Sequence, residues 1–307
     1  MQSNILTEIF LPVALIIIML GMGLSLTLKD FKRVIVFPKA TFVGVTGQII
    51  LLPVVAFLIL KVIDLPPALA VGVMLLAVCP GGPTSNLLSN LARADLALSI
   101  TLTAITSLIT VFTIPILLNY AMEHFMGEGQ YVELPVLDTM VQILIITIIP
   151  VSIGMLIRWK FPRVADKGEQ PVKIASALFI TLIIIGVIIK EKDNLAGYFA
   201  EVGIVMLLIN VIIMLTSYGA GVLFKLRHPQ CATISIETGI QNGTLAIAIA
   251  TSSLLLNNSE MSIPAAVYSL LMFVTGGVAV YIFRAISYRQ ERSRSVVAET
   301  ADSSGRR

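Results

Sequence analysis

Apolar runs of about twenty uncharged residues, parted by short polar breaks, recur along the whole chain; Ile9 to Leu28 and Ile204 to Phe224 are two of them. A helix of about twenty residues covers about 30 Å, the thickness of a bilayer's hydrocarbon. Read between charged or Pro/Gly-marked breaks, the pattern predicts nine spans, at about 6–28, 40–60, 67–90, 95–119, 136–158, 171–190, 199–224, 230–256 and 262–286. The fold class this implies is an all-α polytopic membrane protein with nine transmembrane helices. An odd number of spans puts the two termini on opposite sides. One transmembrane unit over 1–288 is expected, followed by a tail at 289–307. That tail is rich in Ser, Arg and Glu and reads as a disordered cytoplasmic segment, with too little apolar surface to fold alone.

Composition agrees, since 57% of residues are apolar and only 13% charged, which excludes a water-soluble fold. No basic residue precedes the first run and no small-residue cleavage site follows it, so a retained helix is expected there.

Charge adds an orientation. Of the 21 lysines and arginines, 18 fall on one side of the nine spans and only Lys61, Lys190 and Lys192 on the other. The positive-inside rule then puts the N-terminus outside and the C-terminus in the cytoplasm of a cell's inner (plasma) membrane. The loop from Met122 to Asp138, with four acids and no lysine or arginine, fits the outer side as a solvated cap. The net charge of +3 reflects these loops, so no nucleic-acid partner is expected.

Cys79 and Cys231 lie far apart inside apolar runs and read as packing residues; His124 and His228 flank runs and read as solvated loop residues. No ligand spacing joins them, so neither metal nor redox chemistry nor an organic cofactor is expected. No obligate protein partner is evident either.

Two spans contain backbone that a continuous helix avoids. The third carries Cys79-Pro80-Gly81-Gly82-Pro83-Thr84-Ser85-Asn86, where prolines remove donors and glycines free the chain. Pro83 suits the first position of a new half-helix, with Thr84, Ser85 and Asn86 in its first turn. The eighth carries Glu237-Thr238-Gly239-Ile240-Gln241-Asn242-Gly243-Thr244 between apolar stretches. An unpaired carboxylate at mid-bilayer costs at least about 3 kcal/mol on insertion scales, so Glu237 needs compensation. Open backbone at membrane depth is tolerated only when buried in protein or lining a wet cavity. Paired discontinuous helices, one in each half, point to a secondary transporter built from inverted repeats, with its site where they cross.

The breaks offer carboxylate, amide, hydroxyl and freed backbone oxygens, the donors that a hard monovalent cation such as sodium takes. Ser99 and Thr103, at i and i+4, share one face of the next span, either as ligands or as backbone-bonded hydroxyls. Gln48, the lone amide of the second span, is equally an interhelical hydrogen bond or a ligand. The half-helix N-termini at Pro83 to Asn86 and after Gly243 carry unpaired donors that attract a carboxylate or sulfonate. No lysine or arginine lies at that depth, which makes sodium the main countercharge for an organic anion.

At these residues the sequence resembles the bile acid:sodium symporter family, over about Ile9 to Tyr288, in a nine-helix form. The resemblance implies a panel of spans 1, 5 and 6 facing a core of spans 2 to 4 and 7 to 9, with spans 3 and 8 crossing. It implies two coupling sodium ions. The first would be held by Ser85, Asn86, Ser99, Thr103 and Glu237, the second by Gln48, Glu237 and Gln241 with the carbonyls of Thr238 and Ile240. Asn242, with the half-helix N-termini at Pro83, Thr84 and Gly243, would face the substrate crevice. The implied activity is sodium symport of organic anions by alternating access, the substrates being bile acids or small carboxylates such as pantoate. Pro83 departs from related bacterial sequences, which often place a hydroxyl residue after the double glycine, so side-chain contacts to substrate differ. A sodium-independent exporter or exchanger of related fold is the main alternative. An enzyme using Glu237 and Ser85 lacks a lysine or histidine at depth to activate the serine, and a channel's ring of ligands along an open pore is not seen in this single chain.

Overall fold

The computed structural model describes residues 11–127, 134–190, 195–252 and 255–305, and among them every regular element is a helix. Prolines mark many of the starts: Pro38, Pro67 and Pro83 each occupy a first helical position. There the missing N–H would have had no partner in any case. Asp95 caps another start, its carboxylate accepting from the Leu98 amide at 3.1 Å.

The chain order is α1 (Leu11–Ser25), α2 (Leu28–Val36), α3 (Pro38–Val62), α4 (Pro67–Val78) and α5 (Pro83–Leu91). Then come α6 (Leu96–Met126), α7 (Val136–Lys160), α8 (Pro162–Lys190) and α9 (Leu195–Leu223). Last are α10 (His228–Gly239), α11 (Gly243–Thr251) and α12 (Ile263–Gly305). Among the described residues five helices, α3, α6, α7, most of α9 and the first part of α12, are long and apolar enough to cross a membrane; the bent pair α1 and α2 makes a sixth if taken as one span. Large apolar side chains such as Phe42, Val54, Phe112, Ile116 and Val274 point outward, as lipid-facing residues do. The protein is a multi-pass helical membrane protein.

α1 packs along α7 and α8, and at its crossing with α7 the backbones touch. A Cβ on Gly154 would lie 2.5 Å from the Leu20 carbonyl oxygen, and one on Gly23 would lie 2.1 Å from that of Val151. Small residues at such crossings replace the hydrophobic drive that lipid does not provide. α4 packs on α6, and α9 on α10 and α12.

α3 and α7 each contain one π turn, Gly47–Leu51 and Leu144–Ile148, and each turn is followed by a proline, Pro53 or Pro150. A proline cannot donate back to the preceding turn, and the local widening accommodates that lost bond.

Two segments differ from the sequence reading. Residues expected to be part of a charged loop form α2, bent 63° from α1. Its start is fixed by Asp30, whose buried carboxylate accepts from the Thr27 amide and hydroxyl at 2.7 Å each and from Arg33 at 2.9 Å. Threonine followed three residues on by an acid is a helix-start signature, so the signal was present in the sequence. The expected disordered tail is instead helical as far as Gly305. No proline or glycine interrupts the chain between Gly277 and Gly305, so nothing in that stretch ends the helix.

Candidate functional site

The two unwound segments meet. Between α4 and α5, Cys79 to Gly82 run extended, and between α10 and α11 the chain is extended from Ile240 until Asn242 turns it into α11. Gly81 and Gln241 pair across them as a single antiparallel bridge, and the Asn242 amide donates to the Pro80 carbonyl at 2.9 Å. The breaks thus satisfy one another's backbone in the protein interior, where hydrocarbon would not.

Glu237 lies on the last turn of α10, 1% exposed. Its Oε2 accepts from Ser85 at 2.7 Å and from Ser99 at 2.9 Å, and its Oε1 accepts from Thr103. Asn86 Oδ1 lies 2.8 Å from the Ser99 hydroxyl and 3.5 Å from that of Thr103. All five residues named for a first ion therefore come together, from α5, α6 and α10. Ser99 and Thr103 share one face of α6, as their spacing requires, and that face meets the carboxylate. No lysine or arginine pairs with Glu237 among the described residues, so hydroxyls alone stabilise it there. Gly81 makes this possible: a Cβ at that position would sit 2.5 Å from Glu237 Oε1.

The residues named for a second ion also converge. Gln48, in the π turn of α3, donates through Nε2 to Gln241 Oε1 at 2.7 Å and to the Cys79 carbonyl at 3.0 Å. Gln241 Nε2 donates to the Thr238 carbonyl at 2.7 Å. Ile240 is buried in the same break. The Glu237 carboxylate points the other way, toward the hydroxyl cluster, and makes no hydrogen bond to the glutamine pair.

A cavity of about 70 Å³ adjoins the crossing, with Met19, Met22, Phe31 and Met155 on one side and Pro80, Ser107 and Asn242 on the other. Asn242 caps α11 by accepting from the Leu245 amide at 3.0 Å, while its buried Nδ2 meets no acceptor among the described residues. Of the other residues named for substrate, Pro83 and Thr84 are half-buried on the first turn of α5 and Gly243 packs against Ser269 of α12; none of the three lines this cavity.

Sequence reasoning passed over Asn210 and Tyr268, both fully buried, which bond the Gly239 carbonyl at 2.7 and 2.8 Å. Asn210 carried the same signal as Gln48, being the sole amide of an apolar span. His228 is not a free loop residue: its ring joins the Tyr218 hydroxyl at 2.8 Å and the Phe283 carbonyl at 3.2 Å. His124 stacks among Phe57, Tyr120 and Phe125. Cys79 and Cys231 are free and buried.

Comparison with known proteins bears on this geometry. The family described as the Sodium Bile acid symporter family matches residues 12–198. An uncharacterized sodium-dependent transporter of Bacillus subtilis, YocS, is 29% identical over 93% of this chain and 87% of its own length. The probable sodium/metabolite cotransporter BASS1 of Arabidopsis thaliana chloroplasts is 30% identical over 94% of this chain and 70% of its own. Human sodium/bile acid cotransporter 4 is 32% identical over 79% of this chain and 55% of its own. With the family match covering more than half of the sequence, and a plant relative 30% identical over 70% of its own length, the chain belongs to the sodium bile acid symporter family.

Proposed function

We propose that the protein is a symporter that uses a sodium gradient to take up organic anions. The observation that carries this reading is the Glu237 cluster: a buried carboxylate with no basic partner among the described residues, flanked by neutral oxygens from two other helices, α5 and α6, at the crossing of two broken spans. A carboxylate so placed is stabilised when a cation joins it, and four neutral oxygens beside one charge suit a monovalent ion that must later leave.

In this reading Ser85, Asn86, Ser99, Thr103 and Glu237 hold one sodium ion. Gln48 and Gln241, with the carbonyls of Thr238 and Ile240, hold a second, which shares the charge of Glu237. The hydroxyls that donate to Glu237 turn their lone pairs to the first ion. The anion binds in the adjoining cavity, facing Asn242 Nδ2; Pro83, Thr84 and Gly243, which do not line it, act only at a distance, through the partial positive charge of the half-helix starts of α5 and α11. Bile acids and small carboxylates such as pantoate are the substrate classes, and a cavity of about 70 Å³ with one unpaired amide donor favours the smaller acids. The chain would cross the membrane nine times with its N-terminus outside. The three-helix group α1, α7 and α8 would act as a panel that rocks against the remaining core, opening the cavity to one side and then the other.

Purified full-length protein tests the reading directly. Sodium raises its thermal stability, because a ligand that binds only the folded state stabilises it by mass action, and Glu237→Ala removes most of that gain. Potassium at equal ionic strength serves as the control. Equal shifts from the two cations would overturn the sodium assignment.

A further inference from the structure

Where α10 ends, its last carbonyls lose their helical partners, and each is taken up differently. The Ile236 carbonyl still keeps a helical bond, accepting from the Ile240 amide at 2.9 Å, whereas that of Thr238 accepts from Gln241 Nε2 at 2.7 Å. The Gly239 carbonyl accepts twice, from Asn210 Nδ2 on α9 at 2.7 Å and from the Tyr268 hydroxyl on α12 at 2.8 Å. Asn210 Nδ2 also donates to the Tyr268 oxygen at 2.8 Å, closing a triangle. Asn210 is 0% exposed and Tyr268 1%.

The orientation of the Asn210 amide is settled by its neighbour. A carbonyl is an acceptor only, so the nitrogen must face Gly239. Asn210 Oδ1 is then left buried with no donor among the described residues. A core does not ordinarily keep such an orphan, which marks the side chain as held for its donors. The Gly239–Ile240 peptide is clamped at both ends, its N–H by Ile236 and its carbonyl by Asn210 and Tyr268. With this plane fixed and turned toward α9 and α12, the flanking carbonyls of Thr238 and Ile240 have little freedom left. Gly239 itself lets the break approach α9, since a Cβ there would lie 2.3 Å from the Met214 side chain.

We infer that Asn210 and Tyr268 are positioning residues for the second sodium ion: by pinning the Gly239 carbonyl they aim the carbonyls of Thr238 and Ile240 at it, without touching the ion. This inference rests on the sodium reading above. It separates two groups of residues in one broken span, those that supply oxygens and those that set the direction in which the backbone supplies them.

The test is the sodium dependence of thermal stability and of uptake in Asn210→Ala, Tyr268→Phe and, as control, Thr216→Val on the exposed face of α9. Tyr268→Phe keeps the ring and removes one of two donors, so it remains informative if Asn210→Ala fails to fold. The sodium midpoint is expected to rise roughly three- to tenfold in Tyr268→Phe, the factor that one hydrogen bond is worth, and further in Asn210→Ala. Uptake at saturating sodium recovers in both, because the ligating oxygens are intact, and Thr216→Val matches the parent. If the parent responds to sodium and Tyr268→Phe only melts earlier with an unchanged midpoint, the two residues are structural and the inference fails. If the parent itself does not respond to sodium, the transport reading falls, and this inference with it.

Discussion

Replacing Gly81 with alanine sets one methyl group against the tip of Glu237. The new Cβ would lie 2.5 Å from Oε1 and 3.1 Å from Cδ of that carboxylate. An ordinary carbon–oxygen contact needs about 3.2 Å, so Oε1 has to retreat by about 0.7 Å. The clash falls on the end of a flexible side chain and not on backbone, which keeps the effect on folding small. The carboxylate nevertheless has nowhere neutral to go. It accepts from Ser85 at 2.7 Å and from Ser99 at 2.9 Å, and displacement loosens both bonds along with that from Thr103. For an ion about 2.4 Å from the oxygen, a retreat of about 0.7 Å at an effective dielectric of about 20 removes about 1.5 kcal/mol of attraction. That is roughly a tenfold loss of affinity. Gly81→Ala is therefore expected to melt near the parent temperature in choline chloride, and to need roughly tenfold more sodium for half of the full thermal shift. A sodium titration of purified protein at constant ionic strength reads both quantities at once. A midpoint within twofold of the parent would refute the claim that an ion sits on this carboxylate, whereas a large fall in sodium-free stability would show that the methyl group disturbs the fold.

Further outcomes follow from the same geometry. Cys79→Ala and Cys231→Ala are expected to retain uptake within about twofold, because Cys79 serves Gln48 through its backbone carbonyl and Cys231 packs against Gly221; inactive but well-folded cysteine variants would reverse that assignment. Gly154→Val drives side-chain atoms into the backbone of Leu20 and Gly23 and is expected to destabilise by about 1–3 kcal/mol. Gly277→Ala, with open space around it, is expected to be neutral or mildly stabilising, and a melting comparison of the two checks both. Two sodium ions entering with one monoanion carry one net positive charge, worth about 2.3 kcal/mol per 100 mV, so an inside-negative potential set with valinomycin is expected to speed uptake into liposomes. Uptake indifferent to voltage would exclude that stoichiometry for a monoanion.

Much of the site was legible because polar residues inside hydrocarbon are conspicuous. Gln48, Glu237 and Gln241 stand out against apolar runs, and the proline–glycine break announces where helix cannot continue. The convergence of the two breaks, by contrast, is a tertiary event that one-dimensional spacing only suggests. Asn210 was hidden for a different reason: a single amide in a long apolar span is ambiguous until its partners, Gly239 and Tyr268, are placed beside it. α2 was misread because charge density was taken as a loop, although Thr27 and Asp30 bracket a helix start and Phe31 points to the interior cavity. The segment after Arg289 was misread in a similar way, since polar composition argues against a packed core but not against a helix extended from a stable one.

The crossing of the breaks also has a consequence for how the protein is made. Ser85 and Glu237 are 152 residues apart, so the first broken span leaves the ribosome long before its partner exists. Until α10 and α11 arrive, the carbonyl of Pro80 lacks its acceptor role to the Asn242 amide, and the Gln48 side chain lacks Gln241. Neither is comfortable in lipid. A nascent chain halted before His228 is thus expected to hold its α4–α5 segment near the interface or against the insertion machinery, and to become resistant to protease there only after the α10–α11 segment has been synthesised. The bond between two distant breaks makes the arrival of α10 and α11 the event that seals the break between α4 and α5.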